Sequence, residues 1–149
     1  MAVRNIRYET DAILRKKSKL VDVEKDREKT LSLINDMFET MRKYNGIGLA
    51  AVQVGVLKRI VVIEFEENKY VMINPEIILQ EGEQICEEGC LSFPELFYEV
   101  KRPEHVIVKY IDENFNETKL DAHGLLAVVI SHETDHLDGT LFIDKKIEK

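Results

Sequence analysis

The sequence has no excess of positive charge, almost no cysteine and no long apolar run. Its 149 residues hold 21 lysines and arginines against 28 aspartates and glutamates, a formal net charge of -7. Binding nucleic acid by phosphate neutralisation needs Lys and Arg clustered on one face, and no basic block supplies them. The longest uninterrupted apolar stretch, Leu125 to Ile130, falls far short of the ~20 residues that span a bilayer. The opening segment MAVRNIRYETDAILRKK carries charges at Arg4, Arg7 and Glu9 and has no apolar signal-peptide core. These absences predict a cytoplasmic chain with no nucleic-acid or membrane partner. In that setting the only two cysteines, Cys86 and Cys90, are reduced thiols rather than a staple. No internal repeat, low-complexity tract or Pro/Ser-rich linker divides the chain, so one domain over residues 1–149 is expected. At this length it buries roughly 68–70% of its unfolded surface and needs no metal merely to fold.

What is present falls into three stretches. Apolar residues at Ile34, Met37, Phe38 and Met41 recur at i, i+3, i+4 and i+7, predicting an amphipathic helix from about Val23 to Tyr44. Asn45-Gly46 ends it with residues that tolerate a left-handed conformation. Next, Arg59 to Phe65 and Tyr70 to Ile73 read as a hairpin around Glu66-Glu67-Asn68, broken at Asn74-Pro75. Ile77–Leu79, Tyr98–Lys101, Val106–Ile111 and Thr118–Leu120 are further strand candidates, with Asp112-Glu113-Asn114 as a turn. Finally, Gly124 to Gly139 reads as a buried central helix stopped by Gly139. The order of elements predicts an α+β domain, its antiparallel sheets packed around that helix.

The central helix carries His132-Glu133-Thr134-Asp135-His136, an HExxH motif. On a helix, His132 and His136 lie one turn apart on one face and can share a metal ion, with Glu133 aimed at water beside it. A catalytic site of this type wants a third protein ligand and an open position. The extended pattern HExxHxxGxxH would put a histidine at position 142, but Phe142 stands there. The third ligand therefore comes from upstream, where Cys90, Cys86, His105 and His123 are the candidates. Cys90 has the better setting: Gly89 permits close backbone approach, and the amide of Leu91 can point at a reacting oxygen. Using both thiols with both histidines would instead make a closed Cys2His2 structural site without chemistry. A third segment, Gly46-Ile-Gly-Leu-Ala-Ala-Val-Gln53, is no nucleotide loop, since it follows a helix and lacks the later Gly-Lys-Ser/Thr or third glycine. It offers the amide of Gln53 as a donor that does not titrate.

GIGLAAVQ, EEGCLS and HETDHLDG, in this order, resemble the three signature motifs of the peptide deformylase family. The resemblance extends from the first helix to Leu141-Phe142. It implies one divalent metal ion, Fe(II) replaceable by zinc, nickel or cobalt, held by Cys90, His132 and His136. It implies removal of the formyl group from N-formylmethionyl peptides, nascent chains at the ribosome, by a monomer. Glu133 would act as base and acid, with Gln53 and the Leu91 N–H holding the oxyanion. Ile47, Gly48 and Gly89 would lend backbone groups to the peptide, and Cys86, Leu125, Val128 and Val129 would line the methionine pocket. The chain departs from the family pattern at Ser131, where many members have Gln, at Val52, and at Phe97, where some carry Arg. It ends soon after Phe142, without the long C-terminal helix of one branch. A general metallopeptidase, cleaving unformylated peptides, is the competing enzymatic reading of HExxH.

Overall fold

Alternate residues of one buried strand, Ile60–Phe65, divide the core in two. Val61 and Ile63 face a cluster that includes Ala127, Ile130 and Leu137 of the HExxH helix. Ile60 and Val62 face Leu33, Ile34, Met37 and Met41 of the N-terminal helix. Since successive strand residues point to opposite faces, the sheet is a middle layer with one helix on each side. All four strand residues are fully buried, and burying each such side chain contributes about 1.5–3 kcal/mol. A strand covered on both faces loses the apolar-polar alternation of a half-exposed one.

A computed structural model describes residues 2–147. The elements in chain order are α1 (Arg27–Lys43), β1 (Gly48–Ala50), β2 (Ile60–Phe65), β3 (Asn68–Glu81), β4 (Gln84–Cys90), β5 (Phe93–Arg102), β6 (His105–Ile111), β7 (Glu117–His123) and α2 (Gly124–Leu137). Short 3-10 turns occupy Ala12–Arg15, Ala51–Val54 and Phe142–Lys145. Five strands pair antiparallel in the order β1-β2-β3-β6-β7, while β4 and β5 form a separate two-stranded sheet. This is the α+β arrangement around the HExxH helix that the sequence predicts. No helix among the described residues is long and apolar enough to cross a membrane.

Both long helices end in the same device. Asn45 and Gly139 take left-handed backbone angles, φ 57° and 75°. In α1 the amide of Asn45 donates to Arg42 O and that of Gly46 to Met41 O; in α2 Gly139 donates to His136 O and Thr140 to Asp135 O. These paired bonds satisfy the orphan carbonyls of the last turn. At Gly139 a side chain is excluded twice over, since a Cβ would also collide with the backbone carbonyl of Arg15.

Three local expectations need correction. The first helix starts at Arg27, not near Val23, because Asp22 forms a competing turn: its side chain accepts from the Glu24 amide at 3.0 Å and its carbonyl from Lys25 at 3.3 Å. Asn74-Pro75 does not break the hairpin. β3 continues to Glu81 through a bulge between Ile73 and Glu76, where Asn74 (φ 53°) bonds both the N–H and the carbonyl of Val21 at 2.8 and 3.0 Å. A bulge leaves one residue outside the ladder, so the missing N–H of Pro75 costs no ladder bond. Asn68 belongs to the strand, leaving a two-residue turn of Glu66 and Glu67, both with positive φ.

Candidate active site

α2 brings His132, Glu133 and His136 into the interior, at 8%, 6% and 1% exposure. Its apolar first half, Ala127 to Ile130, anchors it in the core, so its polar second half is carried inside with it. The imidazole rings of His132 and His136 lie 5.2 Å apart between centroids. The end of β4 supplies Cys90, whose Sγ is 3.4 Å from His136 Nε2. One donor atom from each of Cys90, His132 and His136 lies within 4.8 Å of the other two.

Cys86 does not join this group. It stands four residues earlier on β4, its thiol directed at the Glu87 carbonyl, and burial raises its pKa. The closed four-ligand arrangement therefore has no geometry to support it. His105 and His123 lie elsewhere, beside Asp121 at the start of α2. Position 142 is filled rather than ligating: the buried Phe142 ring packs 5.7 Å from that of His132.

Behind the histidines lies a buried ionic chain that the sequence reading missed. Glu88 Oε1 takes His132 Nδ1 at 2.8 Å, which leaves Nε2 as the ring's free nitrogen. Arg102, almost wholly buried, donates Nε to Glu88 Oε2 at 2.7 Å and Nη2 to Oε1 at 2.8 Å. Its Nη1 reaches Asp135 Oδ2 at 2.6 Å. Burial would raise the Glu88 carboxyl, but Arg102 and His132 outweigh it and hold it at about 2. The only sequence signal was spacing: Glu88 stands two residues before Cys90, and Arg102 two after the buried Val100, as alternate strand residues do.

The electrostatics of the three helical residues differ. Burial pushes Glu133 up to about 7, poised for proton exchange near neutrality. Burial depresses His132, but the neighbouring Cys90 and Glu88 overcome this and push it up to about 10, so an ion seated on this ring takes the place of a proton. His136 is held well below the usual range, chiefly by burial and then by the His132 charge, so its ring is neutral as a ligand requires. Glu133 Oε1 and His136 Nδ1 are buried with no protein partner. An unpartnered buried carboxylate oxygen beside converging S, N and N donors fits a cation with water in the open position.

Gln53, from the 3-10 turn after β1, is positioned through its own amide. Its Oε1 accepts from the Ala50 N–H at 3.0 Å, fixing which way the group faces. Its Nε2 then donates to Ser92 Oγ at 3.1 Å and lies 3.4 Å from Cys90 Sγ. A cavity of about 600 Å³ opens onto these groups. Cys86, Gly89, Leu125, Val128 and Val129 line it, as do Ile47, Gly48 and Leu91, with His132 and Glu133 also reaching it. His136 lies behind. Phe97 is largely exposed at 63% and packs against Gly89, where a Cβ would meet its ring at 2.7 Å. Val52 is core, and Ser131 is buried with its hydroxyl unpartnered.

The sequence profile of the polypeptide deformylases matches residues 3–149. The chain belongs to the polypeptide deformylase family. It is 55% identical over 147 residues to a peptide deformylase of Acetivibrio thermocellus, covering 99% of this chain and 85% of that one. Peptide deformylase 1 of Clostridium perfringens is 51% identical over 149 residues, covering 99% and 100%. Among solved structures, peptide deformylase from Thermotoga maritima superposes with a TM-score of 0.94 at 38% identity, covering 99% of this chain and all of that one. The Ehrlichia chaffeensis enzyme in complex with actinonin gives 0.94 at 39%, covering 99% and 91%. Deformylases of this family are metal-dependent hydrolases acting on N-formyl peptides.

Proposed function

We propose that the pocket is a deformylase active centre, within a single catalytic domain over residues 1–149. Here the chain removes the formyl group from the N-terminal formylmethionine of newly made polypeptides in the cytoplasm and releases formate. The observation that carries this reading is the convergence of Cys90, His132 and His136 beside the buried, unpartnered Glu133 at an apolar cavity. Cys90, His132 and His136 hold the ion. One thiolate and two imidazoles suit Fe(II) and also accept zinc, nickel or cobalt. When bound, such an ion supplies Lewis acidity, polarising a carbonyl and making water nucleophilic near neutral pH.

The remaining steps belong to the chain's own groups. Glu133, held near 7 by burial, takes a proton from the attacking water and returns one to the leaving amine. The Gln53 side-chain amide and the Leu91 N–H donate to the developing oxyanion, each worth ~3–4 kcal/mol when well placed. Ile47, Gly48 and Gly89 bind the peptide backbone as an added strand. Cys86, Leu125, Val128 and Val129 enclose the methionine side chain in an apolar wall that excludes water.

The deciding experiment is a formate-release assay on formyl-Met-Ala, with metal analysis of anaerobically purified protein. Formate release without peptide-bond cleavage, at one ion per chain, is the expected result. Cleavage of unformylated peptides at a comparable rate would overturn the reading in favour of a general metallopeptidase. Iron as the working ion predicts loss of activity in air, and a nickel-loaded protein should keep its activity. Equal air stability of both forms counts against iron.

A further inference from the structure

A second set of donor atoms stands at the other end of α2, sharing no residue with the pocket. Glu81, His105 and His123 are directly opposed across β3, β6 and β7, so their side chains leave the same face of the sheet in one row. Asp121, two residues before His123, returns to that face. Asp121 Oδ1 receives both rings, His105 Nε2 at 2.7 Å and His123 Nε2 at 3.2 Å. The two imidazoles are stacked, 4.1 Å between centroids and 7° from parallel. On its far side, His105 Nδ1 is held by Glu81 Oε1 at 2.8 Å.

We propose that His105, Asp121 and His123 form a surface site for a borderline divalent transition-metal ion such as Zn(II), Cu(II) or Ni(II), with Glu81 as the outer partner that orients His105. Their donor atoms already lie within 4.8 Å of one another. Seating an ion requires only that the two rings splay and the Asp121 carboxylate swing, because the strands beneath are locked in register from His105↔His123 to Ile111↔Glu117. Glu81 on the second nitrogen of His105 fixes the ring so that Nε2 faces the site, the carboxylate-histidine-metal arrangement that raises ligand basicity. The amide of Gly124, bonded to Glu104 O and Oε1 at 2.9 and 3.2 Å, fixes the backbone just after His123.

The ligand chemistry selects the ion. Two imidazoles and a carboxylate suit zinc, copper and nickel, whereas Mg(II) and Ca(II) want oxygen throughout. Exposure of Asp121 and His123, at 61% and 63% of their side chains, leaves an open entry path and room for water to complete the coordination. The ion is therefore exchangeable and held less tightly than one at the buried centre. Nor can the two sites share an ion: His132 stands nine positions after His123 at the head of α2, about 13.5 Å along the helix at 1.5 Å per residue.

The test uses protein whose catalytic centre is already loaded with nickel, titrated with Zn(II) in a non-chelating buffer, with bound ions counted by equilibrium dialysis and elemental analysis. One further ion per chain is expected, with none added by Mg(II). His123→Ala and Asp121→Asn should each abolish the added equivalent while formate release stays at the unsubstituted level, and Glu113→Gln in the turn between β6 and β7 should retain it. Equal zinc uptake by the unsubstituted protein and both variants, or no uptake beyond the first ion, overturns the proposal. Independently of any substitution, Cu(II) should broaden the ring-proton NMR signals of His105 and His123 first. Broadening that spares both rings overturns it as well.

Discussion

Gly48 stands hard against the carboxylate of Glu133: a Cβ built on it would lie 2.6 Å from Oε2 and 2.9 Å from Cγ. The strand β1 can run past the proposed base only because this residue has no side chain. Gly48→Ala must displace the carboxylate, the strand, or both. Misplacing a reacting group by about an ångström costs on the order of a hundredfold in rate, so kcat for formate release should fall by about that factor. The same clash overpacks a buried site, at a cost of about 1–3 kcal/mol, so the thermal midpoint should fall as well. A variant with unchanged kcat would mean that the Glu133 position is not critical.

The two thiols should separate cleanly. Cys90→Ser is expected to lose both the ion and turnover, and Cys86→Ser to keep both, read by metal analysis and formate release on the same preparations. Glu133→Gln should retain the ion and lose roughly a hundredfold to ten-thousandfold in kcat, the range a positioned acid-base group contributes. Equal metal loss in the two cysteine variants would sink the open-site assignment.

Stripping the ion with a chelator should lower the unfolding temperature. An ion that binds only the folded chain stabilises it by mass action, and the water it carries would partner the buried Glu133 oxygen that no protein group satisfies. Differential scanning fluorimetry with and without added nickel checks this. Coincident melting curves would show that the ion contributes nothing to the fold.

Arg102→Met leaves the Glu88 and Asp135 carboxylates without the guanidinium that now spans them. Breaking a buried pair in this way costs roughly 3–5 kcal/mol, measurable as a shift in the urea midpoint. Arg102→Lys should recover only part of it, because one ammonium cannot reproduce the planar fork. Metal affinity should also drop, by about 10–100-fold, since Glu88 no longer holds the His132 ring steady.

Acid should loosen the N-terminal segment before the rest. Asp36 accepts the Ala2 amide at 2.8 Å and Arg4 Nε at 2.9 Å. Burial raises its carboxyl, but the Ala2 amide and the Arg4 guanidinium outweigh this and leave it below 3.8. A carboxylate depressed in the folded state contributes stability that is complete above its unfolded pKa and disappears as pH falls through the folded one. Hydrogen exchange at residues 2–6 should therefore accelerate as pH drops below about 4, after correction for the intrinsic rate. Asp36→Asn should show the looser segment already at neutral pH and lose this acid dependence.

The sequence displayed its site more plainly than its scaffold. Helical periodicity brought His132 and His136 together, and small-residue and glycine patterns marked Gly48 and Gly89. What stayed hidden depends on contacts distant in the chain. β4 reads as a run of polar and charged residues, and nothing local says that Glu88 is buried, because its counter-charge Arg102 arrives from the next strand. Asp22 captures the start of α1 through a side-chain turn that periodicity does not register. Asn74 keeps β3 going past Pro75 by bonding to Val21, far away in sequence. In each case a tertiary partner overrules the local signal.

The chain Lys145–Asp135–Arg102–Glu88–His132 draws charge from the C-terminal turn, α2, β5 and β4. Each central member is tolerable in the interior only while its neighbours remain. Glu88, Arg102 and Asp135 are therefore open to mutation as a unit and closed to it one at a time: any single neutralising step strands a charge before the next change can compensate. Among descendants of this sequence, these positions should be inherited together or exchanged together, with the single-change intermediates rarely surviving.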